Sequence, residues 1–189
     1  MELVKKIDLI KSTKIISLVL LGSLLLTISA KIKIPFYPVP MTMQTFVVLF
    51  LGMTFGPKIG LATVSLYLLE GVLGFPVFAN SPEKGVGLIY FTGPTMGYLI
   101  GFLVATFLAG LFTIQNSKDN RINIFFKLLF SVSFIYILGL LWLGFLIGWD
   151  KPIFKLGAQP FLLAELFKIL LLVFLTPILL KTKKLLKIT

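Results

Sequence analysis

The 189-residue chain is 58% hydrophobic and only 13% charged, with a mean hydropathy of +1.04 and a formal net charge of +11. Such a chain is too apolar for a soluble domain with a solvated surface, so its composition predicts an integral membrane protein. It contains no cysteine and no histidine, which excludes thiol chemistry, disulfides and a Cys/His metal site.

Apolar runs bounded by charge, proline and glycine predict the membrane spans. The basic, amphipathic lead at 1–14 has no small-residue cleavage site after its apolar run, and we interpret it as a retained cytoplasmic segment. The second and third predicted spans are short and are separated only by Gly-Pro-Lys, so tilt, interfacial extension or burial in the bundle must help them. The six predicted spans are 15–31, 41–55, 59–74, 95–114, 124–149 and 160–180.

The predicted fold is therefore all-α: a single integral-membrane domain over 1–189, forming a compact bundle of about six transmembrane helices. Lysine and arginine in the connections predict its orientation, because these residues are retained on the cytoplasmic side. With the N terminus inside, twelve basic residues lie inside and five outside, so both termini, including the basic tail at 181–189, are predicted to be cytoplasmic. The inner set is Lys5, Lys6, Lys11, Lys14, Lys58, Lys118, Arg121, Lys127, Lys181, Lys183, Lys184 and Lys187; the outer set is Lys31, Lys33, Lys84, Lys151 and Lys155. Topology and anionic lipid headgroups explain the positive charge without a nucleic-acid partner.

This topology places three unusual stretches at the outer face: the connection 33–45, the long turn 75–95 and the start of the last span. Three prolines hold the first connection in an extended, poorly helical path. The glycines of the long turn predict a loop packed back onto the bundle. Polar groups therefore collect at the outer side.

Glu165 and Lys168 lie three residues apart at the start of the last span, so they share a helix face and can pair. One interpretation is a couple that snorkels to the headgroup level. A charged side chain near hydrocarbon costs on the order of 3 kcal/mol and usually faces a bundle interior or a water-filled cavity, which favours a ligand site. Asn80 and Gln44 offer amide groups at the same level, although Asn80 is also an ordinary turn residue.

Two further features leave alternatives open. Glu70, near the outer end of the third span, could belong to a site, but a headgroup-level position or a lysine partner is favoured. Gly22, Ser23 and Thr27 in the first span are small residues at helix-packing spacing, which fits either docking of a partner helix or packing inside the bundle.

Absent motifs narrow the function. The chain has no phosphate-binding G-x-x-x-x-G-K-[ST] loop, and its "GVGLIYFTG" lacks the βαβ context of a dinucleotide site. Without histidine and cysteine no Ser/His or Cys/His nucleophile is possible, and no carboxylate pair suggests glycosidase-like chemistry. The residues therefore favour a non-enzymatic solute-binding or transport subunit with an outward-facing polar pocket.

Four motifs carry a family resemblance over roughly residues 30–171: P-V-P-x-T-x-Q-T, G-x-x-G-P-x-x-G, G-x-P-V-F-A and G-P-T-x-G-Y-L-x-G-F. With them the chain resembles the BioY family, the biotin-specific substrate-binding subunits (S components) of energy-coupling-factor (ECF) transporters. An acid and a lysine three residues apart after Pro-Phe match that family's last span. The family usually has Asp where this chain has Glu165, and a non-acidic residue where it has Glu70.

The resemblance implies a six-helix bundle in the bacterial cytoplasmic membrane that binds biotin at the outer side, without a cofactor. Its partners would be a transmembrane coupling subunit and two cytoplasmic ATPases, which alone would use ATP. Asn80, Glu165 and Lys168 are then the leading candidates for biotin contacts, followed by Gln44 and Tyr98, which could instead brace the loops, with Phe78 lining the pocket. An S component for another vitamin and, more remotely, a lipid-modifying enzyme or an assembly factor are the alternatives.

Overall fold

The structure, a computed structural model, describes residues 2–113 and 120–186. Three residues named above lie outside the described residues: Ile114, the predicted end of the fourth span, and the basic residues Lys118 and Lys187. The same holds for the side chains of Lys5, Lys6, Lys11, Lys183 and Lys184.

The described chain is almost entirely helical, as the composition predicts. The first helix begins already in the basic lead and continues without a break through the first predicted span, and the last span opens with a 3₁₀ turn at Gln159–Phe161. The other long helices begin within three residues of the predicted spans, the last helix runs six residues past its predicted end, and the two short strands and two short helices are additional to the prediction. The elements are α1 Glu2–Lys31, β1 Lys33–Ile34, β2 Met41–Thr42, α2 Gln44–Val72, α3 Leu88–Phe91, α4 Met96–Thr113, α5 Arg121–Ile147, α6 Ile153–Gly157 and α7 Leu162–Leu186.

The α2 element reverses direction at Gly56, whose φ of 81° lies in the left-handed region that glycine adopts without strain. In a straight helix, Gln44 and Tyr67 would be roughly 34 Å apart. Instead Gln44 Nε2 lies 2.7 Å from the Tyr67 hydroxyl oxygen, and the two arms pack closely at Gly52 and Gly60. The element is therefore a helical hairpin with arms 44–55 and 57–72, as predicted from two short spans divided at Gly-Pro-Lys.

Glycines let α4 approach both of its neighbours. A Cβ on Gly52 of α2 would lie 2.3 Å from the main-chain oxygen of Thr106 in α4. On the other side, Cβ atoms on Gly97 and Gly101 of α4 would clash with the backbone of α5. Small residues at such contacts bring helix backbones together, which is how helices associate where no water drives them.

The small-residue patch of α1 faces inward. A Cβ on Gly22 would lie 2.6 Å from the Thr63 side chain of α2, and Ser23 is only 1% exposed. Thr27 is half-buried and donates to the Ser23 main-chain oxygen. The structure therefore favours packing inside the bundle over partner docking for this patch, since α2 already covers Gly22 and Ser23.

Four stretches of the described chain could cross a membrane by length and apolar composition: Ser12–Lys31, Gln44–Val72, Arg121–Ile147 and Ile153–Leu179. Met96–Phe112 is a shorter apolar helix. Because α2 holds two arms, these five stretches account for all six predicted spans. Large apolar side chains such as Leu21, Phe145 and Phe174 are exposed on the outside of the bundle, where a multi-pass membrane protein meets lipid.

Candidate ligand-binding site

An inner cavity of about 60 Å³ lies at the end of the bundle where α1 ends and where α2, α4 and α7 begin. The cavity has mainly apolar and aromatic walls, drawn from the first connection, both arms of the long turn and helices α2, α4, α5 and α7. The lining residues are Val39, Pro40, Met41, Thr42, Gln44, Thr45, Phe78, Ala79, Tyr90, Thr95, Tyr98, Leu99, Phe102, Ile135, Tyr136, Phe161 and Glu165. Glu165 is the one acidic or basic residue among them.

Glu165 and Lys168 form a buried ion pair, with Lys168 Nζ 2.6 Å from Glu165 Oε1. The ammonium also donates to the Thr42 main-chain oxygen at 2.7 Å and to the Thr45 hydroxyl at 2.9 Å, and that hydroxyl in turn donates to Glu165 Oε1. An ammonium has three N–H donors, and all three are directed to these acceptors. Lys168 therefore organises the carboxylate and does not line the inner cavity.

The two carboxylate oxygens of Glu165 differ in their hydrogen bonding, since Oε1 accepts from Lys168 and Thr45. Oε2 is buried and meets no described donor at hydrogen-bonding geometry, although the Tyr136 hydroxyl of α5 interacts with the same carboxylate. A buried acceptor without a partner loses solvation that nothing replaces, which is unfavourable by about 1 to 3 kcal/mol and more for a charged group. Such an atom beside a cavity is suited to accept hydrogen bonds from a ligand.

Gln44 and Tyr98 both line the cavity while their polar ends brace the surrounding elements. Gln44 Nε2 donates to the Tyr67 hydroxyl and so joins the two arms of α2, whereas its Oε1 accepts from Thr42 at 3.2 Å. The Tyr98 hydroxyl donates to the Gly157 main-chain oxygen at 2.8 Å, which holds α6 against α4. These contacts fit the bracing role that the sequence left open for both residues.

Phe78 supplies an aromatic wall of the inner cavity. Its ring stacks on Tyr90 at a centroid distance of 4.6 Å and meets Tyr67 edge to face at 5.3 Å. Gly71 makes room for this ring, because a Cβ there would lie only 2.0 Å from Phe78 Cζ. Three aromatic rings from α2 and the long turn are thus fixed beside the cavity.

Asn80 does not line the inner cavity. It lies at the rim of a separate outer pocket of about 230 Å³, and its Oδ1 accepts from Lys33 Nζ at 3.1 Å. Lys33 also donates to the Ala79 main-chain oxygen, and Lys31 donates to those of Phe78 and Ser81. Lys31, the last residue of α1, and Lys33 of β1 therefore hold the loop that carries Phe78 and Asn80.

Beside Lys168 lies a larger apolar groove of about 560 Å³, between α7 and the β1–β2 hairpin. In this antiparallel hairpin Lys33 pairs with Thr42, and Ile34 pairs with Met41. Met41 and Thr42 line both the groove and the inner cavity. The hairpin is thus the thin wall between the two spaces.

Glu70 lies away from the cavity. It accepts a hydrogen bond from Ser23 and so links the second arm of α2 to α1. The hydrogen bond from Ser23 gives this membrane-embedded carboxylate a polar partner. Among the described residues, Glu70 has no lysine partner and does not line the candidate site.

Several lining residues are not identified by sequence reasoning. Thr45 lies within the P-V-P-x-T-x-Q-T motif, so the motif contains a signal for it, but its contact with Glu165 spans 120 positions of the chain. Tyr136 and Phe161 lie in ordinary apolar runs with no local signal.

Burial raises the pKa of Tyr90, while interactions of its hydroxyl with the Thr95 side chain and the Asn80 main chain act in the opposite direction. The hydroxyl of Tyr90 is therefore neutral near pH 7.

Comparisons with known proteins agree with this architecture. The model of the BioY family matches residues 4–185. The chain belongs to the BioY family. It is 36% identical over 155 residues to the probable biotin transporter BioY of Pyrococcus horikoshii, covering 82% of this chain and 89% of that protein. It is 35% identical over 145 residues to the biotin transporter BioY of Thermotoga maritima, covering 77% and 83%.

The fold is also similar to that of a solved structure. A crystal structure of the S-component for biotin from an ECF-type ABC transporter matches with a TM-score of 0.74 at 27% identity, covering 90% of this chain and 92% of that one. Membership of the BioY family places the chain among transporter subunits and not among enzymes.

Proposed function

We propose that this BioY-family protein is the biotin-binding membrane subunit of an ECF-type uptake transporter, located in the cytoplasmic membrane. The observation that carries the proposal is the buried, unpartnered Oε2 of Glu165 beside a cavity with aromatic walls. Biotin joins a ureido ring with two N–H donors to an apolar thioether ring and a carboxylate tail. A carboxylate acceptor in an apolar pocket is complementary to the ureido end.

The candidate residues have distinct roles in this proposal. Glu165 accepts from a ureido N–H, and Lys168 fixes the orientation of that carboxylate directly and through Thr45. Phe78 packs against the rings of the ligand, while Gln44 and Tyr98 hold the walls in place. Asn80 acts farther out, at the rim of the outer pocket.

The inner cavity must enlarge to accept biotin, because pockets for small ligands usually measure about 300 to 1,000 Å³. Its volume of about 60 Å³ has room for a few water molecules only. The β1–β2 hairpin is the element suited to move, since it has only two residues in each strand and separates the cavity from the apolar groove.

Import requires a source of energy that the chain does not contain, since it has no phosphate-binding loop. A transmembrane coupling subunit and two cytoplasmic ATPases would provide it, and biotin would be the ligand without any cofactor. The outward face of α1, which includes Leu20, Leu24 and Ile28, is exposed and apolar and remains available for lipid or a partner helix.

Direct titration tests the proposal. The detergent-solubilised protein should bind biotin in a calorimetric titration with a stoichiometry of one, and should show no heat of binding with thiamine or riboflavin. Binding of another vitamin instead would keep the architecture and overturn the ligand. Absence of any vitamin binding, together with consumption of a lipid substrate, would favour the enzymatic alternative.

The orientation of the bundle can be tested by labelling, because the chain has no natural cysteine. Glu83 is exposed at the cavity end and Lys58 is exposed at the opposite end, beside the turn of α2. In intact spheroplasts, Glu83→Cys should react with an impermeant maleimide, whereas Lys58→Cys should react only after the membrane is opened. The reverse pattern would place the cavity at the cytoplasmic face and contradict the predicted topology.

A further inference from the structure

The outer pocket shares a wall with the inner cavity. Tyr90 and Thr95 line both spaces, and the loop through Phe78, Ala79 and Asn80 passes from the inner cavity to the outer pocket. The tail of a ligand whose rings fill an enlarged inner cavity would have only Tyr90 and Thr95 between it and the outer pocket. The groups that line this pocket determine which chemical end of the ligand lies there.

Asn80 lines this pocket, and Lys33 fixes the orientation of its side-chain amide. Lys33 Nζ lies 3.1 Å from Asn80 Oδ1, and an ammonium can only donate, so the amide atom that faces Lys33 must be the oxygen. The opposite atom is then Nδ2, and no described residue accepts a hydrogen bond from it. Lys33 thus orients Asn80 as a donor.

Lys84 adds a positive charge to the same pocket. Its ammonium lies 5.8 Å from the centroid of the exposed Tyr37 ring and forms no ion pair with a described carboxylate. The neighbouring acid, Glu83, interacts electrostatically with Lys31. None of the described residues that line the outer pocket is acidic, and the Thr92 hydroxyl already donates to the Ile89 main-chain oxygen.

The two ends of the site therefore have opposite character. The inner end presents an acceptor, Glu165 Oε2, which repels an anion. The outer end presents the Asn80 amide and the Lys84 ammonium, which attract one. We propose that the outer pocket is a carboxylate subsite, in which Lys84 and Asn80 hold the acid end of the ligand's side chain. This inference rests on the proposed function, since biotin is a ligand with N–H donors at one end and a carboxylate at the other.

The test compares biotin with biotin amide, which has the same rings and tail but no charge. In calorimetric titrations of the full-length protein, Lys84→Met should raise the Kd for biotin about fivefold and leave the Kd for biotin amide unchanged within about twofold. Lys84→Arg keeps the charge and should preserve the preference for biotin. Higher ionic strength should weaken biotin binding to the parent more than to Lys84→Met, because salt screens the contact.

The matched control is Lys155→Met, which removes an exposed lysine of α6 that lies outside the lining of the outer pocket. It should bind both ligands like the parent. An equal loss of biotin and biotin amide affinity in Lys84→Met would mean that Lys84 only holds the loop, and would overturn the subsite. So would a parent protein that binds biotin and biotin amide equally well, although the proposed function would then stand. A parent that binds neither ligand would overturn both.

Discussion

Glu165→Gln is expected to weaken biotin binding by at least about tenfold, because it replaces the acceptor-only carboxylate with an amide of the same size. Hydrogen bonds to charged groups contribute about 1.5 to 3 kcal/mol, which corresponds to roughly a 10- to 150-fold change in Kd. The substitution preserves side-chain volume, but it leaves the buried Lys168 ammonium without its anion, so thermal unfolding of the variant must be measured beside its affinity. Calorimetric titration of the purified variant gives the Kd directly.

Glu165→Asp is the matched comparison, since it keeps the charge and shortens the side chain by one methylene. It places at this position the residue that the BioY family usually carries there, and it should retain far more affinity than Glu165→Gln. Affinity in Glu165→Gln equal to that of the parent would show that the Glu165–Lys168 pair is only a structural couple and would remove this carboxylate from the ligand site.

Lys168→Met is expected to destabilise the protein by about 3 to 5 kcal/mol, because it leaves the carboxylate of Glu165 buried without its cation. The same change removes the donor to the Thr42 main-chain oxygen and to Thr45, so the first connection loses its anchor on α7. Biotin binding should fall as well, since the carboxylate is no longer held in position. Thermal unfolding in detergent measures the first effect and titration with biotin the second.

The double variant Lys168→Met/Glu165→Leu separates stability from recognition. With both charges replaced by apolar groups, no buried ion is left unpaired, and the unfolding temperature should recover toward that of the parent. Binding should not recover, because the acceptor is gone. A double variant as unstable as Lys168→Met alone would mean that the lost main-chain contact, and not the unpaired charge, causes the destabilisation.

Local sequence pattern predicts several residues of the candidate site, but it does not predict how those residues are arranged in space. The three-residue spacing of Glu165 and Lys168 predicts their pairing, because side chains at i and i+3 share a helix face. Local pattern also points to Gln44, and the resemblance to the BioY family adds Phe78 and Tyr98; all three line the inner cavity. The sequence does not separate Asn80 from them, since the distinction between an inner cavity and an outer pocket depends on how the long turn packs back onto the bundle.

The amino-acid sequence by itself determined the membrane setting, the number of spans and the reversal at Gly56, because hydropathy and allowed backbone angles act within a few residues. Tertiary structure decided which faces of the helices meet. Only the packing of α1 on α2 shows that Gly22 and Ser23 point inward and that Ser23 satisfies Glu70. Likewise, only the approach of α2 to α7 brings Thr45 to Glu165 and leaves one carboxylate oxygen without a partner. Such contacts depend on the rotation of each helix about its axis, which close packing against the neighbouring helices sets and which no local stretch of sequence specifies.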